Sequence, residues 1–204
     1  MNFMTKFFSI ISLFFLSSCA SIDYGYFADF KGLFTRNTIE ISDSFFRDSK
    51  YSFIKVSYSR NEAIFVLSGV SSSGIHRWVG SNFEVIKTKH GLIVETQGLE
   101  FDIKLHSIDF SFNELSDYSS YINLYNPDLF YEKALFTELG VDRFEGRENK
   151  SESNTFIHTI LRQVPSIGWK SKDTYFLKDG KVIKSIQKIH PQGKYLTIDF
   201  YYKS

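Results

Sequence analysis

The stretch FEVIKTKHGLIVET, residues 83–96, contains the clearest local signal of the fold. Phe83–Thr88 and Leu92–Thr96 are short runs rich in β-branched and aromatic residues, which favour strands. The connection at Lys89-His90-Gly91 is short and ends in Gly, which is typical of a tight turn. The stretch therefore predicts an antiparallel β-hairpin, and similar pairs of runs occur on both sides of it.

Period-two alternation and short apolar runs recur from Tyr51 to the end of the chain. Turn signals such as Ser71–Gly74 and Asp179-Gly180 separate the runs. The further predicted strands are Tyr51–Ser59, Ala63–Val70, Ile75–Val79, Phe101–Leu105, Ser107–Phe112, Tyr118–Tyr125, Leu129–Leu139, Phe156–Val164, Thr174–Leu177, Val182–Ile189 and Tyr195–Tyr201. Residues 51–204 are thus predicted to form a mainly β domain of antiparallel sheets.

Two connections in the second half need separate treatment. Asn126-Pro127-Asp128 predicts the turn of a hairpin, because Pro fits the second position of a β-turn. The alternative is a helix that begins at Asn126 with Pro127 in its first turn. Glu145–Asn154 is polar and rich in charge, and this composition predicts an exposed loop.

A pattern opened by Trp occurs twice. Its two copies are Trp78, Asn82, Lys87 and His90-Gly91, and Trp169, Asp173, Lys178 and Asp179-Gly180. It predicts two similar β-meander halves, residues 51–115 and 116–204, arranged as a sandwich or a half-barrel. Chance similarity between two hairpins is the alternative, since two copies are too few for a repeat architecture.

The N-terminus has the pattern of a secretory signal. Lys6 precedes a short apolar run that ends at Leu16, and Ser17, Ser18 and Cys19 follow. The run has about half the ~20 residues that a membrane-spanning helix needs. Leu, two small residues and Cys resemble the lipobox of bacterial lipoproteins, which predicts cleavage after residue 18 and lipid attachment to Cys19. An ordinary signal peptide with an incidental Cys is the alternative.

Residues 19–50 are predicted to contain the lipid anchor and one or two short helices. Asp23–Phe34 has apolar residues at helical spacing, which fits a helix packed on the protein body or on the membrane surface. Ser42 is a candidate N-cap for one turn over Asp43–Arg47. Ala20 and Ser21 follow the Cys where an Asp favours retention at the inner membrane, so the expected location is the outer membrane, facing the periplasm.

Composition argues against several classes of function. The chain has 24 Lys plus Arg and 23 Asp plus Glu, and removal of a signal containing Lys6 leaves a neutral protein, so no nucleic-acid partner is expected. The one Cys excludes a disulfide within the chain. The five His have no zinc-site spacing, no Ser-hydrolase motif occurs, and no metal, cofactor or catalytic residue is predicted.

Two aromatic residues are candidate contacts for a partner or a saccharide. Trp78 and Trp169 could stack on sugar rings, although core packing is the commoner role of large aromatic residues in sheets. The acidic residues are numerous, and two of them need only be close in space, at any spacing in the sequence, to form a glycosidase pair.

The stretch from Arg77-Trp78 through Lys87-Thr88 and His90-Gly91 to Gly98-Leu99 is similar to the central signature of the YjbF/GfcB lipoproteins. Trp169, Gly180 and the final strand extend the similarity, whereas Asn82 stands where the family has an acidic residue and residues 107–166 depart from the pattern. The resemblance implies a non-enzymatic accessory of capsule or exopolysaccharide assembly, which works beside polysaccharide export proteins at the outer membrane.

Two other classes fit the same sequence. An open half-barrel could carry a lipid or a lipoprotein acyl chain, and a contiguous apolar cavity would favour that function. A polysaccharide-trimming enzyme would need two carboxylates roughly 5–10 Å apart in a cleft. A filled core would favour the accessory lipoprotein.

Overall fold

A computed structural model describes residues 38–107, 109, 111–112, 118–125, 130–144 and 155–203. The predicted signal, the Asp23–Phe34 helix and the Glu145–Asn154 loop lie outside these ranges. No helix among the described residues is long and apolar enough to cross a bilayer.

Among residues 38–52, which the structure describes ahead of the first strand, there is one short helix. Helix α1, Asp43–Asp48, begins after Ser42, whose Oγ accepts a hydrogen bond from the Phe45 N–H at 3.1 Å. This is the predicted cap. The ring of Phe45 packs edge-on against Phe53 with a centroid distance of 5.4 Å, so the helix is held against the first strand.

Twelve strands follow in simple antiparallel order. They are β1 Phe53–Tyr58, β2 Asn61–Val70, β3 His76–Val79, β4 Val85–Lys89, β5 Leu92–Gln97, β6 Ile103–Leu105, β7 Tyr118–Leu124, β8 Phe130–Phe144, β9 Thr155–Val164, β10 Trp169–Lys178, β11 Lys181–Gln187 and β12 Leu196–Tyr201. A single 3-10 turn, Pro165–Ile167, joins β9 to β10. The predicted mainly β, antiparallel fold is therefore confirmed.

The strands form a closed barrel, not a sandwich or a half-barrel. Strand β1 pairs with both β2 and β12, with Phe53 opposite Tyr201 and Tyr58 opposite Leu196. Closure depends on the pairing of strands that are far apart in the sequence, so no local pattern could predict it. All strands of both predicted halves belong to this one barrel.

The predicted strands differ from the observed ones mainly at their ends. Strand β10 begins at Trp169 and strand β8 continues to Phe144, so both are longer than predicted. The predicted strand Ser107–Phe112 is wrong, because its described residues form no strand. Strands β7 and β8 pair as neighbours, which agrees with the predicted hairpin between them.

Both predicted tight turns are present. His90 and Gly91 have φ of 48° and 80°, and Asp179 and Gly180 have φ of 50° and 75°. Two consecutive residues with positive φ are the mark of a type I′ hairpin turn. Trp78, however, lies on β3, one strand before its hairpin, whereas Trp169 lies on β10 within its hairpin. The two copies of the Trp pattern therefore differ in their strand arrangement.

The barrel interior is filled with side chains. Seven fully buried Ile residues from seven strands meet there, namely Ile54, Ile86, Ile93, Ile103, Ile122, Ile160 and Ile198. Strand β10 shows the alternation that produces this core, because its odd-numbered residues face inwards and its even-numbered residues face outwards. Inward-facing side chains thus pack the barrel as a core.

Candidate functional site

A cleft of about 410 Å³ lies at one end of the barrel. Because consecutive strands are antiparallel neighbours, the connections β1–β2, β3–β4, β5–β6 and β11–β12 all lie at this end. The last residue of β1 and the three later connections contribute to the lining, including Tyr58, Glu84, Phe101 and His190. Residues spread over most of the sequence are therefore brought into one concave site.

His190 supplies a polar group from a buried position. The side chain is 3% exposed, and its ring stacks on Phe101 with centroids 4.7 Å apart. Its Nδ1 accepts a hydrogen bond from the Gln192 N–H at 3.2 Å, so the proton of the neutral ring lies on Nε2. Burial lowers the pKa of His190, and the positive charge of Lys188 lowers it further. Nε2–H has no hydrogen-bond partner among the described residues.

Glu62 also lines the cleft, but its carboxylate is engaged in contacts with neighbouring residues of the protein. It accepts hydrogen bonds from the Ile39 N–H and from Ser57 Oγ, and Lys55 Nζ lies 3.7 Å from Oε1. Burial alone raises the pKa of Glu62, but these hydrogen bonds and the Lys55 charge outweigh it, so the pKa is lowered. A carboxyl held ionised in this way is poorly suited to donate a proton as a general acid.

A second carboxylate, Glu84, is fixed by its own turn. Its two oxygens accept from the backbone N–H and the side-chain amide of Asn82 at 3.0 and 3.1 Å. Gly80 faces Glu84 so closely that a Cβ there would lie 2.7 Å from Oε2. Phe83 is 70% exposed and has φ of +66°, a strained conformation for a bulky residue. Such strain is concentrated at functional sites.

Glu100 and Lys194 lie beside Tyr58 at the cleft. The Tyr58 hydroxyl accepts from the Lys194 N–H at 3.3 Å and shares a hydrogen bond with Glu100. Burial raises the pKa of Tyr58, and the Glu100 charge contributes to the rise. The described lining thus contains three carboxylates, one ammonium group and a neutral imidazole, which gives the cleft a negative charge.

A separate pair of oppositely charged side chains lies inside the barrel and is not part of the cleft. Arg162 on β9 and Asp173 on β10 are completely buried, and the Lys188 N–H donates to Asp173 Oδ1 at 3.0 Å. The guanidinium carbon of Arg162 lies 5.4 Å from the centre of the Phe136 ring. Burial raises the pKa of the Asp173 carboxyl, while the Arg162 charge acts in the opposite direction. Neither residue of this pair lines the cleft.

The outer surface of β7 and β8 carries exposed aromatic side chains. Tyr121 and Tyr131 are 49% and 57% exposed, and their rings stack with centroids 5.0 Å apart. His106 packs edge-on against Tyr131, and its Nε2 lies 2.9 Å from Asn123 Oδ1. We call Tyr121, Tyr131, His106 and Asn123 the outer aromatic face. It presents flat rings and polar groups together.

The site residues predicted from sequence lie elsewhere. Cys19, Leu16, Ser17 and Ser18 are outside the described residues. Trp78 is 0% exposed, and its indole N–H donates to Thr88 Oγ1 at 2.9 Å, so it has no surface for a partner or a saccharide. Trp169 is 7% exposed and also belongs to the core. Both Trp residues therefore follow the core alternative.

Sequence patterns missed the cleft residues. His190 stands next to Pro191 without any motif, and Glu84 and Glu100 are ordinary carboxylates in turns. The one usable signal was positional and applied to His190 and Glu100, which lie in connections between predicted strands, where binding residues are concentrated. Glu84 falls inside the predicted strand Phe83–Thr88, whereas the observed strand begins at Val85. Among the described residues, no group of three or more His, Cys, Asp or Glu could hold a metal ion.

Fold and cleft define a class of small closed antiparallel barrels with a site at one end. Residues 27–111 match the family model described as group 4 capsule polysaccharide lipoprotein gfcB, YjbF. Residues 27–111 are thus similar to the YjbF/GfcB family, in agreement with the resemblance seen in the sequence. The description of the family names a lipoprotein and no catalytic activity.

A solved structure shares the fold. The chain is similar to the hypothetical lipoprotein YmcC from Escherichia coli (K12), with a TM-score of 0.67 and 11% sequence identity. The alignment covers 92% of this chain and 98% of the other. No curated protein matches the sequence significantly.

Proposed function

We propose that this chain is a lipid-anchored, non-enzymatic accessory of capsule or exopolysaccharide assembly and export at the outer membrane. The observation that carries the proposal is the family match over residues 27–111. That stretch includes strands β1–β6 and therefore the cleft residues Glu62, Glu84 and Glu100. The proposal thus rests on the part of the chain that supplies three of the four walls of the cleft.

The anchor follows from the lipobox. Lipid attachment at Cys19, after Leu16-Ser17-Ser18, would hold the barrel at the membrane with its body in the periplasm. Confinement to a surface raises the effective concentration of the barrel near membrane-bound export proteins, without any additional contact. Tethering is therefore the mechanism, and no reaction is required of the protein.

Docking of an export protein is assigned to the outer aromatic face. Closure of the barrel leaves no free strand edge in the described sheet, so a partner cannot dock by adding a strand to an edge. Tyr121 and Tyr131 are large, exposed and close together, as are the aromatic residues that dominate many protein interfaces. A protein of the export apparatus is the partner that fits the proposed function.

The two alternative functions, an acyl-chain carrier and a polysaccharide-trimming enzyme, have less support than the accessory function. A carrier of acyl chains would need an open apolar cavity, whereas the described interior is filled by Ile54, Ile93, Ile198 and their neighbours. A trimming enzyme would need a carboxyl poised to donate a proton, whereas the pKa of Glu62 is lowered by its partners. The accessory function requires neither feature.

The test is surface polysaccharide in a strain that lacks the protein, complemented by wild type, Cys19→Ser or Ser18→Ala. Ser18→Ala keeps a small residue in the lipobox and serves as the matched control. We expect wild type and Ser18→Ala to restore the polysaccharide, and Cys19→Ser to restore little. Unchanged polysaccharide in the deletion strain, or full rescue by Cys19→Ser, would refute the tethered accessory function.

A further inference from the structure

We propose that the cleft binds one neutral sugar ring of a polysaccharide chain, with Glu84, Glu100 and His190 as its polar contacts. The inference rests on the proposed function, because it names the ligand class of the cleft in a polysaccharide accessory protein. Its evidence is the shape, chemistry and charge of the cleft itself.

The size and lining fit a small ligand. A volume of about 410 Å³ lies within the range of small-molecule sites, which combine apolar walls with a few fixed polar groups. Phe65, Leu99, Phe101 and Leu196 supply the apolar part. A sugar ring has an apolar C–H surface and a rim of hydroxyl groups, so it matches both parts of this lining.

His190 points to a ligand that accepts a hydrogen bond. Its Nε2–H belongs to a side chain only 3% exposed and has no partner among the described residues. His190 lines the cleft, and Nε2 is not one of the fully buried side-chain atoms that lack a partner, so a ligand oxygen can reach this donor. The stacking on Phe101 and the bond from the Gln192 N–H fix the ring, so the donor is already oriented before binding.

The carboxylates complement this donor. The side-chain oxygens of Glu84 and Glu100 accept hydrogen bonds, and a hydrogen bond to a carboxylate is stronger than one between neutral groups. A sugar hydroxyl can donate to a carboxylate and also accept from the His190 N–H. An acyl chain could do neither, and it would strip water from these groups without compensation.

The negative charge of the cleft favours neutral sugars over acidic ones. The described lining holds three carboxylates against the single ammonium group of Lys194, and His190 is neutral because its pKa is lowered. An acidic sugar would place a fourth carboxylate in this negative cleft, and like charges brought together at an interface are strongly unfavourable. A neutral sugar ring has no such penalty.

The β3–β4 turn keeps the cleft preorganised. Asn82 holds both oxygens of Glu84, and Gly80 N–H donates to the Glu84 carbonyl at 2.9 Å. Phe83, which is exposed and has a strained positive φ, lies between Asn82 and Glu84 in the chain. A turn that is fixed before binding loses little conformational entropy when the ligand arrives.

The experiment uses the full-length chain purified in detergent and methyl glycosides as probes. The neutral probes are those of glucose, galactose, mannose and N-acetylglucosamine, and the acidic probes are those of glucuronic and galacturonic acid. Galactose and galacturonic acid differ only in the oxidation of C6, so they form a matched pair. Saturation-transfer NMR measures binding, and the ¹⁵N shift of His190 Nε2 reports occupancy of the cleft.

We expect at least one neutral glycoside to bind saturably and to shift His190 Nε2, and its acidic counterpart to bind more weakly. Glu84→Gln and Glu100→Gln keep the shape of the side chain, and each should weaken binding about tenfold. Asp142→Asn removes one charge from strand β8 near its β9 connection, at the opposite end of the barrel, and should leave the affinity unchanged.

Three results would overturn the inference: no neutral glycoside binds, the acidic glycosides bind equally well, or the Glu84→Gln and Glu100→Gln variants behave like Asp142→Asn. These measurements are independent of polysaccharide production in cells. Loss of polysaccharide in the deletion strain without binding in the cleft would refute this inference alone. Sugar binding with unchanged polysaccharide would refute the proposed function alone.

Discussion

Gln187 on strand β11 bonds across the barrel to Gly91 in the β4–β5 turn, where its Nε2 donates to the Gly91 carbonyl at 2.8 Å. The other end of the same amide, Oε1, accepts from the Ile93 N–H at 3.0 Å. Gln187 is completely buried, and the Tyr175 hydroxyl also donates to its Oε1 at 3.1 Å. The Gln187 side chain therefore satisfies two backbone groups of the distant β4–β5 hairpin and links opposite walls of the barrel.

Replacement of Gln187 by Met should destabilise the barrel by about 2–4 kcal/mol, because two buried backbone groups would lose their partners. Urea unfolding followed by circular dichroism measures the change. Gln192→Met, at an exposed position of the β11–β12 connection, is the control and should change the free energy of unfolding by less than about 0.5 kcal/mol. Equal effects of the two substitutions would show that the bridge from Gln187 contributes nothing.

Gly91→Ala should destabilise more than Gly180→Ala. Both positions have positive φ, but a Cβ at Gly91 would lie 2.6 Å from Val182 Cγ1, whereas nothing lies within 4 Å at Gly180. We expect about 1–2 kcal/mol from backbone strain at either site and a further ~1–3 kcal/mol of overpacking at Gly91 alone. Thermal unfolding compares the two variants.

The double variant Gly91→Ala, Val182→Ala tests the cause of that difference. Removal of the Val182 methyl groups takes away two of the three atoms that a Cβ at Gly91 would meet and leaves Val182 Cβ at 2.8 Å. The cost of Gly91→Ala, measured in the Val182→Ala background, should therefore fall towards that of Gly180→Ala without reaching it. A cost that is unchanged in this background would rule out the close approach as its origin.

Asp173→Asn should destabilise the protein strongly. Nη2 of Arg162 lies 2.7 Å from Asp173 Oδ2, and both side chains are 0% exposed. Loss of one partner from a buried ion pair leaves an uncompensated charge, which costs about 3–5 kcal/mol. Denaturant unfolding provides the measurement, and Asp199→Asn, at a partly exposed ion pair with Lys184, is the control with an expected cost of about 0–1 kcal/mol.

Stability should fall as the pH decreases below about 6.5, the ordinary pKa of histidine. Burial lowers the pKa of His76, His90 and His190, and in each case a neighbouring positive charge contributes. A folded-state pKa below the unfolded one means that the unfolded chain takes up protons first, so acid favours unfolding until the folded-state pKa is passed. Stability is therefore highest above pH 6.5.

The substitution His190→Phe tests how much of the pH dependence of stability is due to His190. Phe keeps the aromatic stack on Phe101 but cannot titrate. The free energy of unfolding, measured between pH 7.5 and pH 5.5, should change less steeply in the variant than in wild type. Identical slopes would show that His190 is protonated equally in the folded and unfolded states.

Phe83→Asn should leave the protein as stable as wild type or stabilise it by up to about 1 kcal/mol, because Asn tolerates positive φ better than Phe. Phe83 is 70% exposed, so little buried contact is lost. Tyr51→Asn, at an exposed residue outside the positive-φ set, should give no such gain. A clear loss of thermal stability in Phe83→Asn would mean that the ring makes important contacts.

Local sequence signals predicted the helix cap and the tight turns well, because such features depend on residues that are close together in the chain. The N-cap at Ser42 and the turn at Asp179-Gly180 depend on residues a few positions apart, and both are present. The predicted strand Ser107–Phe112 failed, because alternation alone cannot show whether a neighbouring strand is available for pairing. Sequence alone left Trp78 open between a core role and a contact role for a similar reason, since burial depends on the whole fold.

The sequence by itself determined the antiparallel strands, their turns and the similarity of residues 27–111 to the YjbF/GfcB family, because these depend on local pattern and residue type. Tertiary structure alone decided the closure of β1 on β12, the Arg162–Asp173 pair and the cleft at one end. The bond from Gln187 to Gly91 spans 96 residues of chain, and no local rule relates positions so far apart. Such contacts exist only because twelve strands, paired in order, bring the first strand beside the last.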